Sequence, residues 1–223
     1  MGMIEGFRKS MVHCNGVELA VHRSGKGTPL VLLHGYPQNH MCWETVAPTL
    51  AKSNDVIIPD LRGYGDSSAP SNDLKNSTYS KRTMAQDIAE LLTKLNITQA
   101  HLLGHDRGAR VAYRFALDHP TRLKKLGIIE IVPTGDFWAN WNADLAMAAY
   151  HWTFLAQPAP LPERMIGADP VEYINRYPNR TLTTHIKAKL PRTVAVKMAT
   201  NGKRPIVGDD VTDWVIVLKA DIT

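Results

Sequence analysis

Cysteine is scarce in this chain: Cys14 and Cys42 are the only two among 223 residues. A disulfide framework is thereby set aside, and neither cysteine has the CxxC spacing of a thiolate metal site. Long apolar runs are lacking as well, since no stretch approaches the about 18 uninterrupted apolar residues of a membrane span. The opening residues, MGMIEGFRKSMV, have no apolar secretory segment, and Gly6 stands where a myristoylated terminus needs Ser or Thr. The expected compartment is a reducing cytosol, with no membrane partner.

Charge of one sign is also missing from most of the chain. The formal net charge is +5, but nine Lys or Arg against four Asp or Glu from Arg176 onward account for all of it. Residues 1–175 are therefore balanced. The basic residues of the tail are dispersed and no aromatic series is interleaved with them, which argues against nucleic acid as a partner.

What is present fits one large globular unit, or a core with an insertion: 44% of residues are hydrophobic and 21% charged. Apolar runs with β-branched content predict strands at Val17 to His22, Pro29 to His34, Val56 to Pro59, Ala100 to Gly104 and Leu126 to Val132. Ser80 predicts a helix start, followed by Met84, Ile88, Leu91, Leu92 and Leu95 at helical spacing. A second helix is predicted from Arg107 to Asp118, stopped by Pro120. Strands alternating with helices imply an α/β fold with a mostly parallel, doubly wound sheet, whose ligand sites lie at the carboxyl ends of the strands. After Pro133 the texture changes to a helical stretch crowded with Trp138, Trp141, Tyr150, Trp152 and Phe154, the mark of an inserted cap. Gln157 to Pro162 reads as a loop within it. The expected organisation is a core over 1–133, a helical cap over 134–180 and a divergent basic tail over 181–223, with one short apolar run, Trp214 to Leu218, as a terminal strand.

The most informative run is Gly104 His105 Asp106 Arg107 Gly108, between a predicted strand and a predicted helix. This is a nucleophile-elbow pattern: the turn strains the central residue, and flanking glycines let it project above the sheet. An aspartate there attacks a carbon bearing a leaving group and forms an enzyme-bound ester. The competing reading is that Asp106 merely caps the helix. Against it stands His34 Gly35 Tyr36 Pro37, placed after a strand so that the Tyr36 backbone N–H, with that of Arg107, aims at the nucleophile as an oxyanion hole. A third run, Asp60 to Ser67, reads as a structural loop fixed by its glycines and Arg62. Arg107 and Arg110, three positions apart in one helical turn, lean to the same side and offer forked donors to a carboxylate.

Taken together, the runs HGYPQNH, DLRGYGDS, GHDRGARVAYR and YHWTFLAQPAPLPE resemble those of the haloacetate (fluoroacetate) dehalogenases, a branch of the α/β-hydrolase superfamily. The likeness extends over Gly16 to Tyr173. It implies that Asp106 is the nucleophile, that Arg107 and Arg110 bind the carboxylate of a small anionic halogenated substrate, and that His151 and Trp152 receive the halide. From the residues alone, Trp152 would be cap packing and His151 a half-exposed helix residue. The resemblance assigns Glu130 as the acid partner of a catalytic histidine, where the family usually has aspartate; a strand-end surface role is the other reading. No histidine follows His185, and the likeness fades from Asn175 to Arg180 onward, as a frameshift or truncation would produce. The expectation is alkylation of Asp106 with impaired hydrolysis of its ester. No metal or organic cofactor is expected, and a homodimer is compatible with the sequence without being required by it. Two further readings are an epoxide hydrolase, disfavoured by Arg107 where an aromatic residue is usual, and a non-catalytic remnant.

Overall fold

The computed structural model describes residues 2–176 and 216–218; most of the expected tail lies outside the described residues. The chain divides into two compact units at Ile131/Val132.

The first unit is built on a seven-stranded sheet in the order β1-β2-β4-β3-β5-β6-β7. Its strands are β1 (Arg8–Cys14), β2 (Val17–Ser24), β3 (Thr28–Leu33), β4 (Asn54–Pro59), β5 (Ala100–His105), β6 (Leu123–Ile129) and β7 (Ile216–Leu218). β1 and β2 form an antiparallel hairpin in which Cys14 faces Val17. Asn15 and Gly16 at its tip both have positive φ, as a two-residue turn matched to sheet twist requires. β2 pairs antiparallel with β4, and the pairs from β4 through β7 are parallel. This is the expected mostly parallel α/β sheet.

Two differences from the sequence reading have physical causes. β1 was not expected, because it is an edge strand exposed along most of its length and carries no apolar alternation to announce itself. β6 begins three residues earlier than predicted and ends at Ile129, because Glu130 adopts φ +56° and leaves the extended conformation. Its early residues Lys124 and Lys125 are exposed, so the apolar run marks only its second half.

Helices α1 (Ala47–Leu50), α2 (Lys81–Lys94) and α3 (Arg107–Asp118) complete the crossovers. α2 starts where the Ser80 hydroxyl accepts the Thr83 N–H at 3.1 Å, a cap worth about 1 kcal/mol. Buried side chains of α2 and α3, among them Ile88, Leu91, Leu92 and Phe115, pack with Val31, Leu33, Ile57 and Leu102. On the opposite face Ile4, Phe7, Leu32, Trp43, Val56 and Ile58 form a smaller cluster. The central strands are thus covered on both faces, which explains their continuous apolar runs.

The second unit is helical: α4 (Thr134–Ala139), α5 (Ala143–Ala148), α6 (Tyr150–Phe154), α7 (Leu161–Ala168) and α8 (Pro170–Arg176). α5 opens with the Asn142 side chain accepting the Leu145 N–H at 2.9 Å. The loop predicted over Gln157 to Pro162 is shorter than expected. Leu161 and Pro162 already belong to α7, where a proline in the first turn leaves no hydrogen bond unmade.

Candidate active site

Because β3, β4, β5 and β6 run parallel, their carboxyl ends lie along one edge of the sheet. The segments that follow them are His34 to Pro37, Asp60 to Ser67, Asp106 and Glu130.

Asp106 sits between β5 and α3 with φ +48° and ψ −116°, a conformation that an L-residue holds only when its surroundings impose it. Its side chain makes no capping bond to α3, so the capping reading fails. Oδ1 instead accepts the Tyr36 N–H at 2.8 Å. Oδ2 carries no hydrogen bond among the described residues. Glycines make this approach feasible: a Cβ on Gly35 would lie 2.5 Å from the Asp106 Cβ, and one on Gly104 2.5 Å from the Gly108 carbonyl.

Buried polar bonds hold the Tyr36 turn. The His34 Nε2 accepts the Leu61 N–H at 3.0 Å, which leaves the proton on Nδ1, 3.0 Å from the Gly35 carbonyl. Burial pushes His34 down to about 4, in keeping with a neutral ring. The Gln38 Oε1 accepts from the Gly35 N–H at 3.2 Å and lies 3.0 Å from the His105 Nδ1. The other nitrogen of His105 is 3.0 Å from the Glu130 Oε2. Glu130 is thus not simply a solvated strand end, since its carboxylate meets a buried histidine beside the nucleophile. Sequence reasoning missed His105 and Gln38 as members of this network, although both lie within the runs it singled out.

Arg107 and Arg110 flank the elbow. The Arg107 guanidinium lies 4.8 Å from the centroid of the Tyr36 ring and bonds the Tyr64 hydroxyl, whose pKa burial raises. Arg110 is buried and its pKa is lowered, first by burial, against the opposing effects of Asp106 and a Tyr113 hydrogen bond. The first turn of α3 holds no acidic residue, so two guanidiniums and a helix N-terminus gather positive potential at Asp106.

The Asp60 loop is structural, as expected. Arg62 makes a forked bond to Asp87 and reaches the Thr78 carbonyl at 3.0 Å. His22, His40 and Asp60 bring potential metal-ligand atoms within 4.8 Å of one another, but their geometry describes an ion pair. His40 Nδ1 is 2.9 Å from Asp60 Oδ1, and Nε2 is 3.0 Å from the Gly2 carbonyl. Both partners only accept, so both nitrogens are protonated. The bonds to Asp60 and Gly2 outweigh burial and raise the His40 pKa. Burial acts to raise Asp60, and the bonds from His40 and Asp66 overcome it and hold the carboxyl below its usual range. His22 stacks on His40 with centroids 3.7 Å apart and planes 15° apart. In such a stack the in-plane lone pairs do not converge on one ion.

His151 and Trp152 lie on α6 of the second unit, whereas Tyr36, Asp106, Arg107, Arg110 and Glu130 belong to the first. Within its own unit Trp152 packs on Phe137 at 4.3 Å and Trp138 at 5.7 Å, and His151 lies edge-on to Tyr150 at 6.1 Å. No described helix is long and apolar enough to cross a membrane.

A family model for the alpha/beta hydrolase fold matches residues 28–215. Among curated relatives, a fluoroacetate dehalogenase from a Burkholderia species is 45% identical over 168 residues, which cover 75% of this chain and 55% of that one. A soluble epoxide hydrolase from Corynebacterium sp. strain C12 is 36% identical over 174 residues, covering 76% and 57%. Among solved structures, a Nostoc sp PCC 7120 protein provisionally described as an α/β hydrolase is 47% identical with a TM-score of 0.76, over 78% of this chain and 60% of that one. The chain therefore spans less than two thirds of the length of these relatives.

Proposed function

This chain belongs to the alpha/beta hydrolase fold family, and from that premise we propose that it acts as a dehalogenase of small 2-haloacids, with Asp106 as its nucleophile. The observation that carries this reading is the state of Asp106. It is held at positive φ, its side chain free of its own helix, with one oxygen on the Tyr36 N–H and two arginines in the helical turn that follows. Its likeness to a fluoroacetate dehalogenase supports the same chemistry.

In this mechanism Arg107 and Arg110 hold the substrate carboxylate and present its α-carbon to Asp106. Oδ2 attacks in line; the Oδ2–carbon bond forms as the carbon–halogen bond breaks, and the halide leaves with the electron pair. The imidazole and indole N–H groups of His151 and Trp152 are the proposed halide donors. Oδ1 remains on the Tyr36 N–H and becomes the ester carbonyl oxygen. When water adds to that carbonyl, negative charge develops on Oδ1 where the N–H groups of Tyr36 and Arg107 can stabilise it. Collapse releases the 2-hydroxyacid and restores Asp106. Glu130 is the proposed acidic member of the hydrolytic half, acting through an imidazole; His105 is the imidazole it meets among the described residues.

A second reading, hydrolysis of an epoxide, uses the same aspartate and is favoured by likeness to the Corynebacterium enzyme. It has no use for a buried Arg110 beside the attacking oxygen. Halide release from chloroacetate and fluoroacetate, measured beside diol formation from styrene oxide, separates the two. The proposal expects halide release, with at least one equivalent per chain, and no diol. Diol without halide would overturn it.

A further inference from the structure

Arginines of the first unit are held in two different ways. Arg23 is forked to Asp55 at 2.7 and 2.6 Å, Arg62 to Asp87 and Arg114 to Asp118. In each of these a carboxylate of the protein occupies the donors that a ligand's carboxylate would need. Among the described residues Arg107 has no such partner. Its half-buried guanidinium lies over the Tyr36 ring, 4.8 Å from the centroid. A ring face attracts the charge without competing, as a carboxylate would, for the forked N–H groups. The bond to the Tyr64 hydroxyl engages only part of those donors. The platform itself is stiff. The Gln38 N–H closes the turn on the Gly35 carbonyl at 3.0 Å and the Tyr36 N–H is fixed on Asp106, so the ring has only its own χ1 and χ2 to settle. Sequence reasoning gave a role to the N–H of Tyr36 and none to its ring.

We propose that Tyr36 is a positioning residue for carboxylate recognition: its ring holds the Arg107 guanidinium ready for an anionic ligand, while the N–H of the same residue holds the nucleophile. The proposal deepens the reading that Arg107 binds the substrate carboxylate and rests on it. Its physical content is preorganisation. A loose arginine loses rotamer freedom when a ligand arrives, whereas one already seated on a ring has lost much of it beforehand. A neutral ligand makes no call on that charge and gains nothing from its being held. Tyr36 therefore acts on affinity for anions, and it does so through Arg107. Its hydroxyl has no part in this, and a phenylalanine ring serves as well.

The test is calorimetric titration of the full chain with acetate, a carboxylate without a leaving group, and with acetamide, its neutral counterpart. Tyr36→Leu keeps the backbone N–H and removes the aromatic face; it is expected to weaken acetate binding about fivefold and leave acetamide unaffected, while Tyr36→Phe stays within about twofold of the unaltered chain. In an Arg107→Met background the same Tyr36→Leu change is expected to cost acetate nothing further, because residues that act as a unit do not add. Acetate affinity unchanged in a folded Tyr36→Leu variant, or an equal loss with Arg107 already removed, would overturn the proposal. Should Tyr36→Leu not fold, phenylalanines of increasing ring fluorination at position 36 weaken the face at nearly constant shape, and acetate affinity that does not fall along that series overturns it instead. Tyr36-dependent acetate binding without halide release from chloroacetate sinks only the dehalogenation reading; halide release with acetate binding indifferent to the Tyr36 ring sinks only this one. Failure of acetate to bind the unaltered chain removes both.

Discussion

Two helices of this sheet begin at residues that both favour N-caps, and only one of them is capped. Ser80 holds φ −62° and accepts the Thr83 N–H. Asp106 holds φ +48° and its side chain makes no bond to its helix; that side chain accepts the Tyr36 N–H instead. The same side-chain chemistry serves stability at one helix and is withheld from it at the other. The difference lies in the frame. At Asp106, close-packed glycines before, after and opposite leave one place for the side chain, whereas nothing constrains Ser80 in that way.

The contrast predicts effects that differ in kind. Asp106→Asn should reduce ester formation with chloroacetate to background, a loss of at least about a thousandfold. Asp106→Gly, freed of the strained φ, should be as stable as the original chain or more so, by about 1 kcal/mol; a clear loss in chemical denaturation would show that no strain is held there. Gly35→Ala puts a methyl group against the Asp106 side chain and should slow alkylation about a hundredfold through misplacement. An unaffected rate would mean that the tight approach is dispensable.

Smaller effects test the supporting frame. Burial lowers both His22 and His34 to about 4. The unfolded chain, with ordinary histidines, therefore binds more protons between pH 6.5 and 4, and stability must fall as pH drops through that window. The loss should reach a few kcal/mol. His22→Phe removes two buried ring nitrogens that have no hydrogen-bond partner among the described residues, and its melting temperature should depend less on acid. An equally steep pH profile in that variant would exclude His22 as a contributor. Ser80→Ala should cost about 1 kcal/mol and leave alkylation intact, the reverse of the pattern at Asp106.

The sequence announced the parts of this molecule whose physics is local. α3 has the bounds predicted for it, from Arg107 to Asp118 with Pro120 as its stop, and the Ser80 cap stands where its residue type suggested. The central strands, covered on both faces, were legible as apolar runs. β1 was not, because an exposed edge strand needs only backbone partners; its one local signal was the Asn15-Gly16 turn. The Asp106 elbow could be read because its glycines lie next to it in the chain. The His105 contacts with Gln38 and Glu130 could not, since they join segments 67 and 25 residues apart.

The central claim, that Asp106 is the attacking carboxylate, is tested most directly by peptide mapping after brief treatment with chloroacetate. The account predicts a carboxymethyl ester on the peptide carrying Asp106, cleaved by hydroxylamine and absent from Asp106→Asn. Label confined to Cys14 or Cys42, or an Asp106 peptide that stays unmodified while chloride is released, would contradict it.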